Sequence, residues 1–166
     1  MAPWAIGAFA ASAVAHAAGA YALVRSGAGR AAGRAAGGRL RAAGAALALA
    51  ALAVLAIAAF RLSGSGPGDV LDQLHAASVL AYQVAFAAAV LLRGRLLPAV
   101  TVAGVSTALL LVSLGDGLGA PGLLQRAWVA LDQAWLLVVV LLACRQTRVR
   151  GRSRAPAGME GRGGRG

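Results

Sequence analysis

The chain has a single cysteine, Cys144, no lysine, and five acidic residues among 166. One thiol excludes intramolecular disulfides and Cys-x-x-Cys redox or zinc motifs. All sixteen basic residues are arginine, which together with the abundant Ala and Gly points to a GC-rich, bacterial coding genome rather than to an activity. Charge is absent altogether from residues 3–24 and 42–60. A soluble domain spreads its charges over its surface and leaves no such gaps. Each gap is long enough to cross a hydrocarbon core of about 30 Å at about 1.5 Å per residue. With 60% of residues hydrophobic, the composition is that of a membrane protein.

The net charge of +11 raises the possibility of a nucleic-acid binder. The arginines flank apolar stretches rather than forming one basic patch, so no nucleic-acid partner is expected. They divide the chain into five expected transmembrane helices, at about 4–24, 42–60, 75–92, 97–114 and 123–143. Trp4 and Tyr21 stand near the ends of the first, where amphipathic rings favour the membrane interface. A cleaved signal peptide needs a positive segment ahead of its apolar core, and no Arg precedes Arg25, so a retained helix is expected. Gly66-Pro67-Gly68 breaks the chain after the second span, and Pro98 suits the first turn of the fourth helix, where its missing N–H has no intrahelical partner to lose. Residues 145–166 are expected to form a disordered Arg/Gly-rich tail.

Orientation follows from a count. Arg25, Arg30, Arg34, Arg39 and Arg41, then Arg93 and Arg95, then seven tail arginines share one side of a five-span bundle. Only Arg61 and Arg126 lie on the other, beside Asp69, Asp72 and Asp116. Fourteen against two is a strong positive-inside bias, which places the N-terminus outside and the C-terminus in the cytoplasm. The expected fold is an all-α integral membrane bundle, N-out and C-in, in a bacterial inner membrane. Its Arg-rich cytoplasmic segments would attract anionic lipids at about 1 kcal/mol per Arg near the surface. The Gly161-to-Gly166 ending is similar to RNA-binding Arg/Gly segments, but a solvated topogenic tail accounts for it.

No extramembrane segment exceeds the 22-residue tail, and chains below about 40 residues rarely fold unaided. Any activity therefore sits between the helices or at their ends. The most informative residue is Asp132, in the middle of the fifth span and flanked by Trp128, Gln133 and Trp135. A carboxylate there costs about 2.5–3.5 kcal/mol on insertion scales, so it should face the bundle interior and have a partner. Counting residues from the outer ends puts Asp132, Gln83 and His16 roughly 12–18 Å deep, with Ser106 and Thr107 at a similar level. A buried polar layer of Asp132, Gln83, His16 and Thr107 is expected. It serves either as a proton- or substrate-binding site or as interhelical glue.

Other groupings carry less. His16 and His75 lie at different depths and so do not form a pair of haem ligands. Asp69, Asp72 and His75 share a Gly-rich outer loop, which is a poor frame for a metal. No nucleophile–base pair or metal-ligand cluster stands out, so neither an enzyme nor a cofactor is expected. Gly7-x-x-x-Ala11, Gly44-x-x-x-Ala48 and Gly104-x-x-x-Ala108 permit close helix approach in lipid.

The stretch 60–145 holds Phe60, Pro67, Asp69, His75-Ala76-Ala77 and Phe86, then Gly122-Leu123-Leu124-Gln125-Arg126 and Trp135. In these it resembles the uncharacterised bacterial membrane family called domain of unknown function 998. That family usually has six spans where five fit here, and its Pro-x-Asp-Pro loop is replaced by Gly66-Pro67-Gly68-Asp69. The resemblance implies a multi-span bacterial membrane protein and directs attention to His75 and Arg126 as an outer-face pair. The function expected is a transporter-like protein or a subunit of a membrane complex, handling a small or lipid-like molecule. The alternative is a structural or lipid-interacting membrane protein without such activity.

Overall fold

The computed structural model describes residues 3–28, 34–60, 69–93, 96–114 and 121–152. Arg30, Arg61, Pro67, Arg95, Asp116, residues 153–166 and the side chain of Trp4 lie outside the described residues. Five helices follow one another: α1 (Pro3–Gly27), α2 (Arg34–Ala59), α3 (Val70–Arg93), α4 (Leu96–Leu114) and α5 (Pro121–Arg152). Each expected span falls on one of them. The helices outrun the apolar stretches because backbone hydrogen bonding continues through Ala and Arg, which are good helix formers. Thus α2 starts eight residues ahead of its uncharged stretch. For the same reason α5 continues to Arg152, so residues 145–152, expected to be disordered tail, are helical.

The start of α3 has a local cause. Asp69 caps the helix: its Oδ1 accepts the backbone N–H of Leu71 at 2.8 Å, and its carbonyl accepts the N–H of Gln73 at 3.0 Å. An Asp in this position satisfies orphan donors of the first turn and contributes about 1 kcal/mol. The helix therefore begins at Val70 rather than at His75.

Chain segments 28–33, 60–69, 94–95 and 115–120 are the only lengths available to join these helices. Such short connections make successive helices antiparallel. Each packs on the next, and α5 returns to α1, so the bundle closes into a ring. The α1–α2 seam is set by small residues. On α1, Ala13, His16, Ala20, Leu23 and Gly27 are buried, and on α2, Ala43, Leu47, Ala50, Val54 and Ile57. This alternation of three and four residues is the repeat of two helices packed lengthwise. A Cβ placed at Gly44 would stand 2.6 Å from Val24 Cγ2 and 2.9 Å from the Ala20 carbonyl oxygen, so the helices meet there backbone to backbone. Gly7 and Gly104, expected to play the same part, face open space, with nothing within 4 Å of a Cβ at either. Ala48 is exposed. Of the three expected close approaches only the one at Gly44 exists, because the other glycines lie off the inward stripes.

The distribution of polarity is inverted relative to a soluble protein. Leu52 is 62% exposed, and Leu49, Leu80, Val84, Leu111 and Leu137 are exposed too, whereas His16, Ser106 and Asp132 are 0% exposed. In water such an apolar exterior would be a large unfavourable patch. In lipid it matches its solvent. Three helices, α1 (its Gly7–Gly27 part), α2 and α3, are long and apolar enough to cross a membrane, and α4 contributes the shorter apolar stretch Pro98–Val112.

Candidate functional site

Every polar side chain at the centre of the ring sits where helical periodicity points inward. Among the described side chains the buried positions on α5 are Trp128, Asp132, Leu136 and Val139, and on α4 they are Ala99, Ala103, Ser106 and Leu110. On α3, Ser78, Tyr82, Phe86 and Ala89 run along the same face. His16 takes its place in the α1 stripe. These residues fall near the middle of their helices, so the antiparallel ring brings them to one level.

Asp132 is the meeting point of two hydrogen-bond chains. From α4, Ser106 Oγ donates to Asp132 Oδ1 at 2.7 Å. From α3, Tyr82 Oη donates to Asp132 Oδ2 at 3.1 Å. The chain behind Ser106 is longer. Trp128 Nε1 donates to Gln83 Oε1 at 2.9 Å, and Gln83 Nε2 donates to Thr107 Oγ1 at 2.8 Å and to Ser106 Oγ at 3.3 Å. Thr107 in turn donates to the Ala103 carbonyl at 2.8 Å. Donors aligned toward one carboxyl polarise one another, and the low local dielectric strengthens each bond.

On the other side, Tyr82 Oη lies 3.3 Å from His16 Nε2. His16 Nδ1 is 2.7 Å from the Ser12 carbonyl oxygen. A carbonyl only accepts, so Nδ1 carries the hydrogen. A second tie joins α5 to α1, with Gln133 Nε2 donating to Ser12 Oγ at 2.8 Å. Among the described residues Asp132 forms no ion pair, and its two oxygens are held by hydroxyls from two other helices.

Aromatic rings wall the centre. Tyr82 meets His16 edge-on at 5.5 Å and Trp128 edge-on at 5.7 Å, and stacks on Phe86 at 6.0 Å. Phe86 meets Trp135 edge-on at 5.4 Å. Such pairs contribute about 0.5–1.5 kcal/mol each beyond area burial, and they fix the ring that carries the Tyr82 hydroxyl. On α2, Ala50 and Ala53 belong to the same buried cluster as Tyr82 and Phe86. Their small side chains leave the polar groups of α1 and α3 room to meet.

Asp132, Gln83, His16 and Thr107 therefore do share one network, but Asp132 touches neither His16 nor Gln83 directly. Tyr82 and Ser106 stand between them. Ser106 was placed at this depth by its position in the fourth span. Tyr82 was missed, although a phenol hydroxyl beside Gln83, deep in an apolar span, needs a partner as surely as an acid does.

The expected outer-face pair is not joined. His75 Nδ1 donates instead to the Phe60 carbonyl at 2.6 Å, tying the end of α2 to the first turns of α3. Arg126 is exposed, and among the described residues no hydrogen bond connects it with His75. The sequence proximity of both to helix ends carried no information on their azimuth around the bundle.

Apart from this packed centre, a groove of about 840 Å³ lies between α2 and α3, bounded by Leu49, Leu52, Ala53, Leu80, Ala81 and Val84 among others. Its single polar side chain, Ser78, spends its hydroxyl on the Leu74 carbonyl at 2.7 Å. The groove includes none of the residues of the Asp132 network.

Searches for similar proteins return no matching family model, no matching curated protein and no matching solved structure.

Proposed function

We propose that this chain is a multi-pass protein of a bacterial cell membrane, with five spans, its N-terminus outside and its C-terminus in the cytoplasm. In this reading it is a transporter-like protein or membrane-complex subunit that takes a proton or small molecule at Asp132. The observation that carries it is a wholly buried acid midway along a helix, with no cationic partner among the described residues. An amide or hydroxyl in that place would supply interhelical hydrogen bonds without the cost of about 2.5–3.5 kcal/mol that a carboxylate brings. An acid retained at that cost is a site by default. The arginine distribution supports the orientation. Arg25 reaches back from the last turn of α1 to donate to Tyr21 Oη at 2.8 Å, an arrangement suited to an interfacial anchor. The resemblance to the uncharacterised membrane family belongs to the same proposal.

The test is a stability screen of the purified protein in detergent micelles, across pH and against a panel of small cations, amines and short-chain lipids. The proposal expects saturable stabilisation by protons or by a member of the panel in the wild type, and none in Asp132→Asn. A bundle indifferent to pH and to every solute, and weakened only when Asp132 becomes Ala, would have a structural acid.

The second reading is a lipid-interacting protein without transport activity. The groove between α2 and α3 favours it, since its length of Ala, Leu and Val suits an acyl chain. In the same screen, stabilisation by lipids that persists in Asp132→Asn would select it.

A further inference from the structure

We infer that His16, Tyr82 and Asp132 form a proton relay, in which one proton shared by the triad moves between the carboxyl of α5 and the imidazole of α1 through the Tyr82 hydroxyl. The inference rests on the proposal that Asp132 is a titrating centre, and it adds the second proton site and the group that connects the two.

The triad offers more acceptors than one hydroxyl hydrogen can serve. His16 Nδ1 must donate, because the Ser12 carbonyl 2.7 Å away can only accept. The state of His16 is then decided at Nε2, whose partner is Tyr82 Oη at 3.3 Å. Tyr82 has one hydroxyl hydrogen and two neighbours that can take it, His16 Nε2 and Asp132 Oδ2 at 3.1 Å. If Asp132 is ionised and His16 neutral, one of the two buried acceptors is left without a donor, and an unmet buried acceptor costs about 1–3 kcal/mol. Two arrangements leave neither unmet. In one, Asp132 is protonated and donates from Oδ2 to Tyr82 Oη, while Tyr82 donates to Nε2 of a neutral His16. In the other, Asp132 is ionised and accepts from Tyr82, while Nε2–H of a cationic His16 donates to Tyr82 Oη.

The two differ by a concerted shift. The Asp132 Oδ2–H bond breaks as its proton bonds to Tyr82 Oη, and the Tyr82 O–H bond breaks as that proton bonds to His16 Nε2. The Asp132 O–H pair stays on Oδ2 as the carboxylate charge, Tyr82 Oη loses one proton as it gains the other, and the lone pair of His16 Nε2 forms the new N–H bond. The net charge of the triad is unchanged, so the transfer creates no unbalanced charge in a low-dielectric interior. Among the described residues the surroundings add no competing ion. α2 offers Ala50 and Ala53 at this level. α4 offers only the hydroxyls of Ser106 and Thr107, and α5 adds Trp128 and Gln133. The Ser106 hydroxyl holds Asp132 Oδ1 at 2.7 Å, which leaves Oδ2 as the exchanging oxygen. Tyr82 is a positioning and proton-passing group, with its ring gripped by His16, Phe86 and Trp128.

The experiment is NMR of the full chain in lipid nanodiscs, labelled with ¹³C at Asp carboxyls and ¹⁵N in His rings, followed across pH. The Asp132 and His16 signals are assigned by their loss in Asp132→Asn and His16→Gln. In the wild type the Asp132 carboxyl and His16 Nε2 signals should move together, with one common midpoint. In Tyr82→Phe, which keeps the ring contacts and removes the hydroxyl, the common midpoint should split in two. Should Tyr82→Phe fail to fold, Asp132→Asn must displace the His16 midpoint, and an unchanged midpoint overturns the relay. A wild-type His16 signal that ignores the state of Asp132 overturns the relay and leaves Asp132 as a titrating centre. If neither signal moves, the relay falls, and with it the proton as the species taken at Asp132.

Discussion

Replacing Gly44 by alanine puts a methyl group where the α1–α2 seam leaves no room. The new Cβ would lie 2.6 Å from Val24 Cγ2, 2.9 Å from the Ala20 oxygen and 3.2 Å from the Val24 nitrogen. Carbon atoms in good contact stand about 3.5–4.0 Å apart, so the two helices must part by roughly 1 Å. Two of the three obstacles are backbone atoms, which no rotamer change removes. Overpacking of this kind costs about 1–3 kcal/mol, and the better helix propensity of Ala returns up to about 1 kcal/mol. The expected net loss is about 1 kcal/mol. Gly7→Ala and Gly104→Ala are the internal controls, because nothing lies within 4 Å of a Cβ at either position. They gain the propensity term alone, so a difference of about 2 kcal/mol separates Gly44 from the controls. Equilibrium unfolding of the purified variants in mixed micelles measures it. Stabilisation of Gly44→Ala equal to that of Gly104→Ala would refute the packing of α1 on α2 described above.

Four further outcomes are expected. Asp132→Ala should destabilise the bundle by about 1–2 kcal/mol, since interhelical hydrogen bonds in membranes average about 0.6 kcal/mol each. The loss is limited because Ser106 can turn to Gln83 Oε1, already 3.4 Å away, and Tyr82 to His16. Asp132→Asn should stay within about 1 kcal/mol of wild type in the same unfolding assay, and a loss as large as that of Ala would mean that ionisation itself holds the fold. Trp128→Phe keeps the edge-on contact with Tyr82 but removes the donor to Gln83 Oε1. It should cost about 0.5–1.5 kcal/mol and shift the amide signals of Gln83 in NMR spectra, and an unchanged Gln83 would refute the bond. A green fluorescent protein fused after Gly166 should fluoresce in cells, while alkaline phosphatase there should be inactive. The reverse pattern would overturn the C-in orientation.

His75 and Arg126 show how far helix ends can be read from sequence. Their order along the chain and their nearness to helix ends were legible, yet His75 turns to the Phe60 carbonyl and Arg126 is exposed. Spacing along a chain fixes depth at a constant rise per residue, but it does not say which way around the bundle a helix is turned. Asp132, Gln83 and His16 came together because each is buried on the inward side of its helix as well as at a common level, with Thr107 half-buried beside Ser106. Gly7 and Gly104 met the same small-residue pattern as Gly44 but lie off the inward stripes of their helices.

By itself the sequence determined the five helices among the described residues, the apolar length of α1, α2 and α3, and how far along its helix the mid-helix acid falls, because uncharged length and constant rise are properties of the chain alone. Tertiary structure alone decided which polar groups meet. The closing of α5 onto α1 and the small side chains of α2 bring the Tyr82 hydroxyl between His16 and Asp132. That placement depends on the rotation of five helices relative to one another. Their rotation is settled by how side chains such as Gly44, Ala50 and Phe86 pack, which no single helix encodes.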